Sequence, residues 1–247
     1  MIKELLLKLY NFLLPQESYV RYRIYSRLLW KIFPDKMDRI LLEFARSQNT
    51  SVKVIQIGAC DGLSFDPLHK YFREFGWKGI LIEPNPIYFQ ELIRNYSKIK
   101  SINLVFENIG ISDRTEELTI HYPAKSGAGF RYRNFYKLLG TFDENLYRKL
   151  KAEYSLIEFN AQTIRCENIN ALIERHDYFD CDILYSNAEG FDGRIILSID
   201  FSRIKPRIVI FESKFLTEPE KISIYKFLPA HGYSIEEYGD RIFACRI

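Results

Sequence analysis

Two short apolar segments, each ending in a loop of glycine or acidic residues, constrain the fold of this chain most strongly. Residues 52–62 read VKVIQIGACDG, and residues 78–86 read KGILIEPNP. Apolar runs of this kind are typical of buried parallel strands. Between them, residues 67–75 have the spacing of a crossover helix, which completes a strand–helix–strand unit. Because open parallel sheets bind ligands beyond the carboxyl ends of their strands, the two loops predict a ligand site.

The acid that ends the second strand indicates which kind of ligand the site would bind. Glu83 is placed to accept hydrogen bonds from two ribose hydroxyls. The first loop has glycines only at Gly58 and Gly62, unlike the G-x-G-x-x-G of dinucleotide sites. The chain contains no G-x-x-x-x-G-K-[ST] motif, which disfavours a P-loop. The combination favours S-adenosylmethionine, which carries a ribose and an adenine but no phosphate.

Five sequence blocks, in order, resemble the FkbM-like methyltransferases. They are VIQIGACDG (54–62), WKGILIEPNP (77–86), NIGISD (108–113), DILYSNAEGFD (182–192) and KPRIVIFE (205–212). The resemblance covers roughly residues 50 to 245. It implies the Rossmann-like fold of class I S-adenosylmethionine-dependent methyltransferases. It also implies O-methyl transfer to a hydroxyl of a sugar, glycan or related metabolite, as for many members of the family.

The pattern along the chain predicts a doubly wound, mostly parallel α/β sheet with a C-terminal antiparallel hairpin. Residues 1–47 are expected to form an N-terminal helical extension, and residues 48–247 the methyltransferase domain, with an insertion at about 123–157. Further strands are predicted at 102–107, 182–186 and 207–211, an edge or hairpin strand at 118–122, and the closing hairpin at 233–238 and 241–246.

The first 47 residues carry nine Lys or Arg against five Asp or Glu, although the whole chain has a net charge of only +3. Apolar residues from Ile2 to Leu13 fall on one helical face, far short of a membrane span of about 20 residues. One interpretation is peripheral contact with anionic lipid through residues 1–33. The alternative is a helix packed on the domain or in a homodimer interface.

The four cysteines show neither C-x-x-C nor zinc-ligand spacing. We therefore expect a reducing cytoplasm, with peripheral attachment at the inner membrane face as the alternative location.

The resemblance and the strand-end positions together assign the cofactor residues. Gly58 and Gly62 would let the first loop approach the methionine part of S-adenosylmethionine. Asp61 would either receive the ammonium group of that part or order the loop. Glu83 would accept both ribose hydroxyls. The set is completed by Gln56, Pro84, Asn85, Asn108 and Ile109.

Asn108 and Ile109 are expected to frame the adenine, one by a hydrogen bond and one by packing. Relatives often carry an acid at the position of Gln56, so its neutral amide is expected to weaken binding of the ammonium.

The candidate catalytic residues follow the predicted central strand. Methyl transfer needs a hydroxyl held near the methyl carbon and a group that removes its proton. Glu189 is the candidate base or hydroxyl anchor, Asn187 an orienting group and Asp192 a supporting acid. No metal site is predicted from ligand spacing, although Glu189, Asp192 and Glu212 together are of the type that holds a hard cation.

The run FRYRNFYK at 130–137 predicts a substrate lid for an acidic or phosphorylated glycan. Its candidate substrate residues are Arg131 and Arg133, joined by His121 and by Glu212. The expected partner is a small-molecule or glycan acceptor. Nucleic-acid methylation, suggested only by this run, is disfavoured because the chain lacks a sustained basic stripe.

Three positions depart from the family pattern. Many members have Ile-Asp where this chain has Ser186 and Asn187, and two histidines where it has Ser213 and Phe215. One acid and two imidazoles are therefore missing from the expected reaction centre. A catalytically inactive member that serves as a binding or scaffold module is the alternative function.

Overall fold

The structure, a computed structural model, describes residues 24, 29–64, 66–99, 103–124 and 139–247. Most of the 1–33 segment and the run at 130–137, including Arg131 and Arg133, lie outside the described residues. The predictions made for them remain predictions.

The helices and strands follow one another in the order expected for an α/β protein. They are α1 (Lys36–Ser47), β1 (Lys53–Ile57), α2 (His69–Phe75), β2 (Lys78–Ile82), α3 (Pro86–Tyr96), β3 (Leu104–Glu107), β4 (Gly110–Ser112), β5 (Glu116–Pro123), α4 (Glu144–Glu153), β6 (Phe159–Asn168), α5 (Ile169–Arg175), β7 (Ile183–Ser186), α6 (Asp192–Ser198), β8 (Ile208–Glu212), α7 (Glu218–Ala230), β9 (Tyr233–Tyr238) and β10 (Arg241–Arg246).

A seven-stranded sheet forms the centre of the described structure, in the order β3-β2-β1-β7-β8-β10-β9. The strands from β3 to β8 pair in parallel, whereas β10 runs antiparallel to both β8 and β9. The predicted mostly parallel sheet and its C-terminal hairpin are confirmed. The strand order reverses between β1 and β7, and a ligand is expected outside the carboxyl ends of these strands.

The sheet is covered on both faces because its strands are apolar on both faces. In β1, Ile55 and Ile57 belong to one buried cluster with side chains of α5, α6 and α7, whereas Val54 belongs to a second cluster with α1, α2 and α3. Successive strand residues point to opposite faces, so a continuous apolar run fills two cores. Among the described helices, none is long and apolar enough to cross a bilayer.

The segment predicted as an edge or hairpin strand at 118–122 belongs to a second sheet that the sequence pattern did not reveal. This sheet has three described strands in the order β4-β6-β5, with β5 antiparallel and β4 parallel to β6. Ile120, Tyr122 and Ile164 share its buried face. Because β5 and β6 are separated by the whole insertion, their pairing leaves no local signature.

Within the insertion, α4 begins as predicted after Asp143, whose side chain accepts a hydrogen bond from the backbone N of Leu146 at 2.7 Å. The helix is fixed to β5 through His121. The His121 Nε2 atom lies 3.1 Å from Glu144 Oε2, and its ring stacks on Tyr147 with 3.8 Å between centroids.

Candidate active site

A cavity that opens to solvent lies at the carboxyl ends of β1, β2 and β7, where the strand order reverses. The predicted site residues that line it are Gln56, Gly58, Glu83, Pro84, Asn85, Ile109, Asn187 and Glu189. Lining residues that sequence analysis did not single out include Cys60, Ser64, Asp66, Tyr88, Phe142 and Tyr185.

Glu83 is a buried acid, 6% exposed, whose two oxygens are held by different loops. Its Oε2 accepts a hydrogen bond from the backbone N of Cys60, and its Oε1 accepts one from that of Asn85, each at 2.8 Å. Each carboxylate oxygen retains a second acceptor position. Burial raises the pKa of Glu83 to about 7, although both hydrogen bonds act to lower it. Each carboxylate oxygen of Glu83 can therefore still accept a hydrogen bond at the wall of the cavity.

Two glycines of the first loop have positive φ, and at both positions a neighbouring protein atom leaves no room for a Cβ. Gly58 has φ +74°, and a Cβ there would lie 2.0 Å from the carbonyl oxygen of Asn187. Gly62 has φ +65°, and a Cβ there would lie 2.4 Å from Leu92 Cδ1 and 2.5 Å from Tyr96 Cε2 in α3. The prediction that Gly62 faces the methionine part is therefore corrected: its close approach is to α3.

Asp61 takes the second of its two predicted roles and orders the loop. Its Oδ1 accepts hydrogen bonds from the backbone N of Leu63 at 3.0 Å and of Ser64 at 2.6 Å, and its Oδ2 accepts one from Ser64 Oγ at 2.7 Å. The carboxylate is thus engaged within its own loop, outside the lining of the cavity.

Asn108 lies outside the cavity lining, and its predicted hydrogen bond to the adenine stays a prediction. Its Nδ2 donates to the backbone oxygens of Glu83 at 2.8 Å and Pro84 at 3.1 Å, so the amide holds the loop after β2. Ile109, which follows it, lines the cavity and supplies an apolar surface.

Two buried amides that line the cavity each leave one polar atom without a hydrogen-bond partner among the described residues. Gln56, 1% exposed, donates from Nε2 to Asp66 Oδ1 at 2.9 Å, and its Oε1 is unpartnered. Asn85, 2% exposed, caps α3 by accepting from the backbone N of Ile87 at 2.9 Å, and its Nδ2 is unpartnered. A buried unpaired group costs about 1–3 kcal/mol, so these atoms fit a ligand with complementary groups.

Glu189 lies in the loop after β7 in an unusual backbone conformation, with φ +44°. Its carbonyl oxygen accepts a hydrogen bond from Thr141 Oγ1 at 2.7 Å, which joins the insertion to this loop. Its side chain is half-buried, and Asn187 Nδ2 lies 3.5 Å from Oε1. Burial and the charges of Glu212 and Asp192 raise the pKa of Glu189 well above its ordinary value.

Asp192, the predicted supporting acid, lies outside the cavity lining and holds the loop after β7. It is buried, and its Oδ1 accepts from Ser186 Oγ at 2.6 Å while its Oδ2 accepts from the backbone N of Ala188 at 3.0 Å. Burial raises the pKa of Asp192 to about 6.

The two remaining predicted substrate residues also lie outside the cavity lining. Glu212 is half-buried with Oε2 unpartnered among the described residues, and burial together with the charge of Asp192 raises its pKa to about 8. The contacts of His121 to Glu144 and Tyr147 give it a structural role. Among the described residues, no group of three or more His, Cys, Asp or Glu is arranged to hold a metal ion. This holds also for Glu189, Asp192 and Glu212.

The mostly parallel sheet and the cavity at its strand ends have the arrangement of the class I methyltransferase fold. The model of the methyltransferase FkbM domain matches residues 56–235, and the chain belongs to this family. The resemblance of the five sequence blocks to this family is thereby confirmed. The comparison with curated proteins finds no match to the chain.

Solved structures of methyltransferases are similar to this chain at low identity. A methyltransferase FkbM from Methylobacillus flagellatus KT is 15% identical with a TM-score of 0.49, over 96% of this chain and 57% of that longer one. A methyltransferase from Geobacter sulfurreducens is 13% identical with a TM-score of 0.45, over 99% and 96%. The precorrin-6y C5,15-methyltransferase of Geobacter metallireducens GS-15 is 14% identical with a TM-score of 0.40, over 87% and 89%.

Proposed function

We propose that this chain transfers a methyl group from S-adenosylmethionine to a hydroxyl of a sugar, glycan or related metabolite. The observation that carries the proposal is Glu83, a buried carboxylate beside the cavity whose oxygens are each held by one backbone N–H and can each accept another hydrogen bond. Membership of the FkbM family supports methyl transfer. When bound, S-adenosylmethionine supplies the methyl group as an electrophile.

The cavity residues fit the parts of this cofactor. Glu83 accepts hydrogen bonds from the two ribose hydroxyls, and Pro84 and Ile109 offer apolar contact to the adenine. Gln56 Oε1 is an acceptor for the methionine end, and Asn85 Nδ2 is a donor for a ring nitrogen or hydroxyl. Both atoms would thereby gain the partners they lack.

We assign proton removal from the acceptor hydroxyl to Glu189. It lines the cavity at the end of β7, and its raised pKa makes its ionised form a stronger base than an exposed glutamate. Asn187, at 3.5 Å from its carboxylate, orients it. Glu189 would accept the proton of the acceptor hydroxyl, and S-adenosylmethionine would supply the methyl group and leave as S-adenosylhomocysteine.

The second candidate is a binding module that keeps the cofactor site without methyl transfer. Ser213 Oγ donates to Glu237 Oε1 at 3.0 Å, and Phe215 packs against the apolar cluster of Leu139, Leu146 and their neighbours. Ser213 and Phe215, at the positions where the resemblance implies histidines, thus make structural contacts in this chain, which favours the alternative.

Calorimetric titration of S-adenosylmethionine and S-adenosylhomocysteine tests the cofactor site. We expect binding to wild type and to Glu117→Ala, which removes an exposed acid of β5, and loss of binding in Glu83→Ala. If wild type binds neither compound, the proposed function is wrong.

Methyl transfer is tested with S-adenosylmethionine labelled in its methyl group and a panel of monosaccharides and p-nitrophenyl glycosides. A methyl ether resists mild alkali, so base-stable label in a sugar product supports the proposal. Base-labile label indicates an ester and contradicts it. Cofactor binding with no labelled product across the panel favours the binding module.

A further inference from the structure

We propose that Asp66 supplies, from behind Gln56, the negative charge that recognises the ammonium group at the methionine end of the cofactor. The inference rests on the proposed function and concerns the part of the cavity formed by β1 and the loop after it. From the sequence, Gln56 is expected to bind the ammonium group weakly because its amide is neutral. Asp66 has no role among the residues predicted from the sequence.

The contacts of Asp66 decide which way the Gln56 amide faces. Asp66 Oδ1 accepts hydrogen bonds from Gln56 Nε2 at 2.9 Å and from the backbone N of Leu68 at 2.8 Å, while Oδ2 accepts from Tyr96 OH at 3.0 Å. A carboxylate accepts hydrogen bonds, so Gln56 presents its nitrogen to Asp66, and its oxygen is left without a partner among the described residues.

The remaining atom of Gln56 defines the chemistry of its ligand. Oε1 is buried, has no partner among the described residues, and belongs to a side chain that lines the cavity. It can only accept a hydrogen bond, so the ligand group must be a donor. Polarisation of the amide by the Asp66 carboxylate strengthens this acceptor, because hydrogen bonds in a chain reinforce one another in a low dielectric.

Two opposing effects act on the charge of Asp66. Burial raises the pKa of Asp66, whereas the charge of the nearby His69 and the hydrogen bonds described above favour its ionised form. Asp66 also lines the cavity, so its charge acts on a ligand at short range. Asp66 stands ten residues after Gln56 in the chain, and the fold brings the two side chains together.

The test compares S-adenosylhomocysteine with 5′-methylthioadenosine, which keeps the adenine, ribose and sulfur but lacks the amino-acid end. Wild type should bind S-adenosylhomocysteine more tightly. Asp66→Asn should reduce this preference at least about tenfold, about 1.4 kcal/mol, and leave 5′-methylthioadenosine affinity unchanged. Gln56→Glu combined with Asp66→Asn should restore the preference, because the double variant returns a carboxylate to the cavity.

The control is Glu117→Gln, which removes an exposed acid of β5 that lies outside the cavity lining. It should leave the preference unchanged. If Asp66→Asn weakens both ligands equally, or weakens neither, Asp66 only shapes the loop and the inference is overturned while the proposed function stands. If neither ligand binds wild type, the proposed function fails and the inference falls with it.

Discussion

The Oε2 atom of Glu83 accepts a hydrogen bond from the backbone N of Cys60 at 2.8 Å, so the acid that ends β2 also fixes the loop that follows β1. The same two loops are joined by the backbone N atoms of Gly58 and Ala59, which both donate to the oxygen of Ile82 at 3.0 Å. A ligand held by Glu83 is therefore held against the first loop without a rearrangement of either.

Cofactor affinity should depend on pH through Glu83. Its pKa of about 7 means that the carboxylate loses one of its acceptor positions to a proton as the pH falls through that value. We expect the Kd of S-adenosylhomocysteine to rise by up to about tenfold between about pH 8 and about pH 6. Calorimetry at both pH values measures this, and Glu83→Gln should bind weakly with a flat profile. A flat profile in wild type would contradict the assignment.

Gly58→Ala should destabilise the fold more than another glycine substitution of the same backbone type. Both Gly58 and Gly76 have positive φ, but a Cβ at Gly76 meets nothing within 4 Å, whereas one at Gly58 meets the oxygen of Asn187 at 2.0 Å. Gly76→Ala should therefore cost only about 1–2 kcal/mol of unfolding free energy, and Gly58→Ala more than that. Urea unfolding compares them, and equal losses would exclude the contact with Asn187 as the cause.

Stability without ligand should fall as the pH rises towards the alkaline range. A carboxyl whose pKa is raised by folding contributes stability below its unfolded pKa, and this stability is lost as the pH rises through the folded pKa. The folded values are about 6 for Asp192, about 7 for Glu83 and about 8 for Glu212.

The melting temperature should therefore be higher at about pH 5.5 than at about pH 8.5. Differential scanning fluorimetry checks this, and Glu212→Gln should flatten the profile while Glu117→Gln should not. A melting temperature that rises with pH would show that these carboxyls are ionised in the folded protein.

Substitution of Glu189 should lower turnover, whereas substitution of Asp192 should lower the stability of the fold. Glu189→Gln should lower methyl transfer by roughly 10²–10⁴-fold with unchanged S-adenosylhomocysteine affinity, because it removes the base alone. It should also raise the melting temperature, since one buried negative charge is lost. Labelled transfer and calorimetry measure the first two quantities, and full activity in Glu189→Gln would exclude it as the base.

Asp192→Asn should instead lower stability by about 1–3 kcal/mol, because its new amide group would face the donors Ser186 Oγ and Ala188 N. Thermal unfolding measures this loss. Unchanged stability would mean that these hydrogen bonds do not hold the loop after β7.

Local chemistry made much of the fold predictable. The apolar runs of β1, β2, β7 and β8, the hairpin of β9 and β10, and the cap of α4 depend on residues that are neighbours in the chain. The site at the strand ends was predictable for the same reason, because a parallel strand delivers its next loop to a known edge of the sheet. Glu83 follows directly after β2, so its position at that edge was readable.

The lining of the cavity was decided only by the tertiary structure. Asp61 and Asp66 lie in the same loop and look equivalent in sequence, but one bonds within the loop and the other holds Gln56. Thr141 reaches Glu189 across 48 positions.

The second sheet, too, arises from pairing between distant segments. The sequence by itself determined the strands, the cap of α4 and the edge of the sheet that carries the cavity, because these follow from local periodicity and hydrogen bonding. Which side chains line the cavity was decided by long-range packing, because a loop residue turns toward whichever partner the assembled fold places beside it.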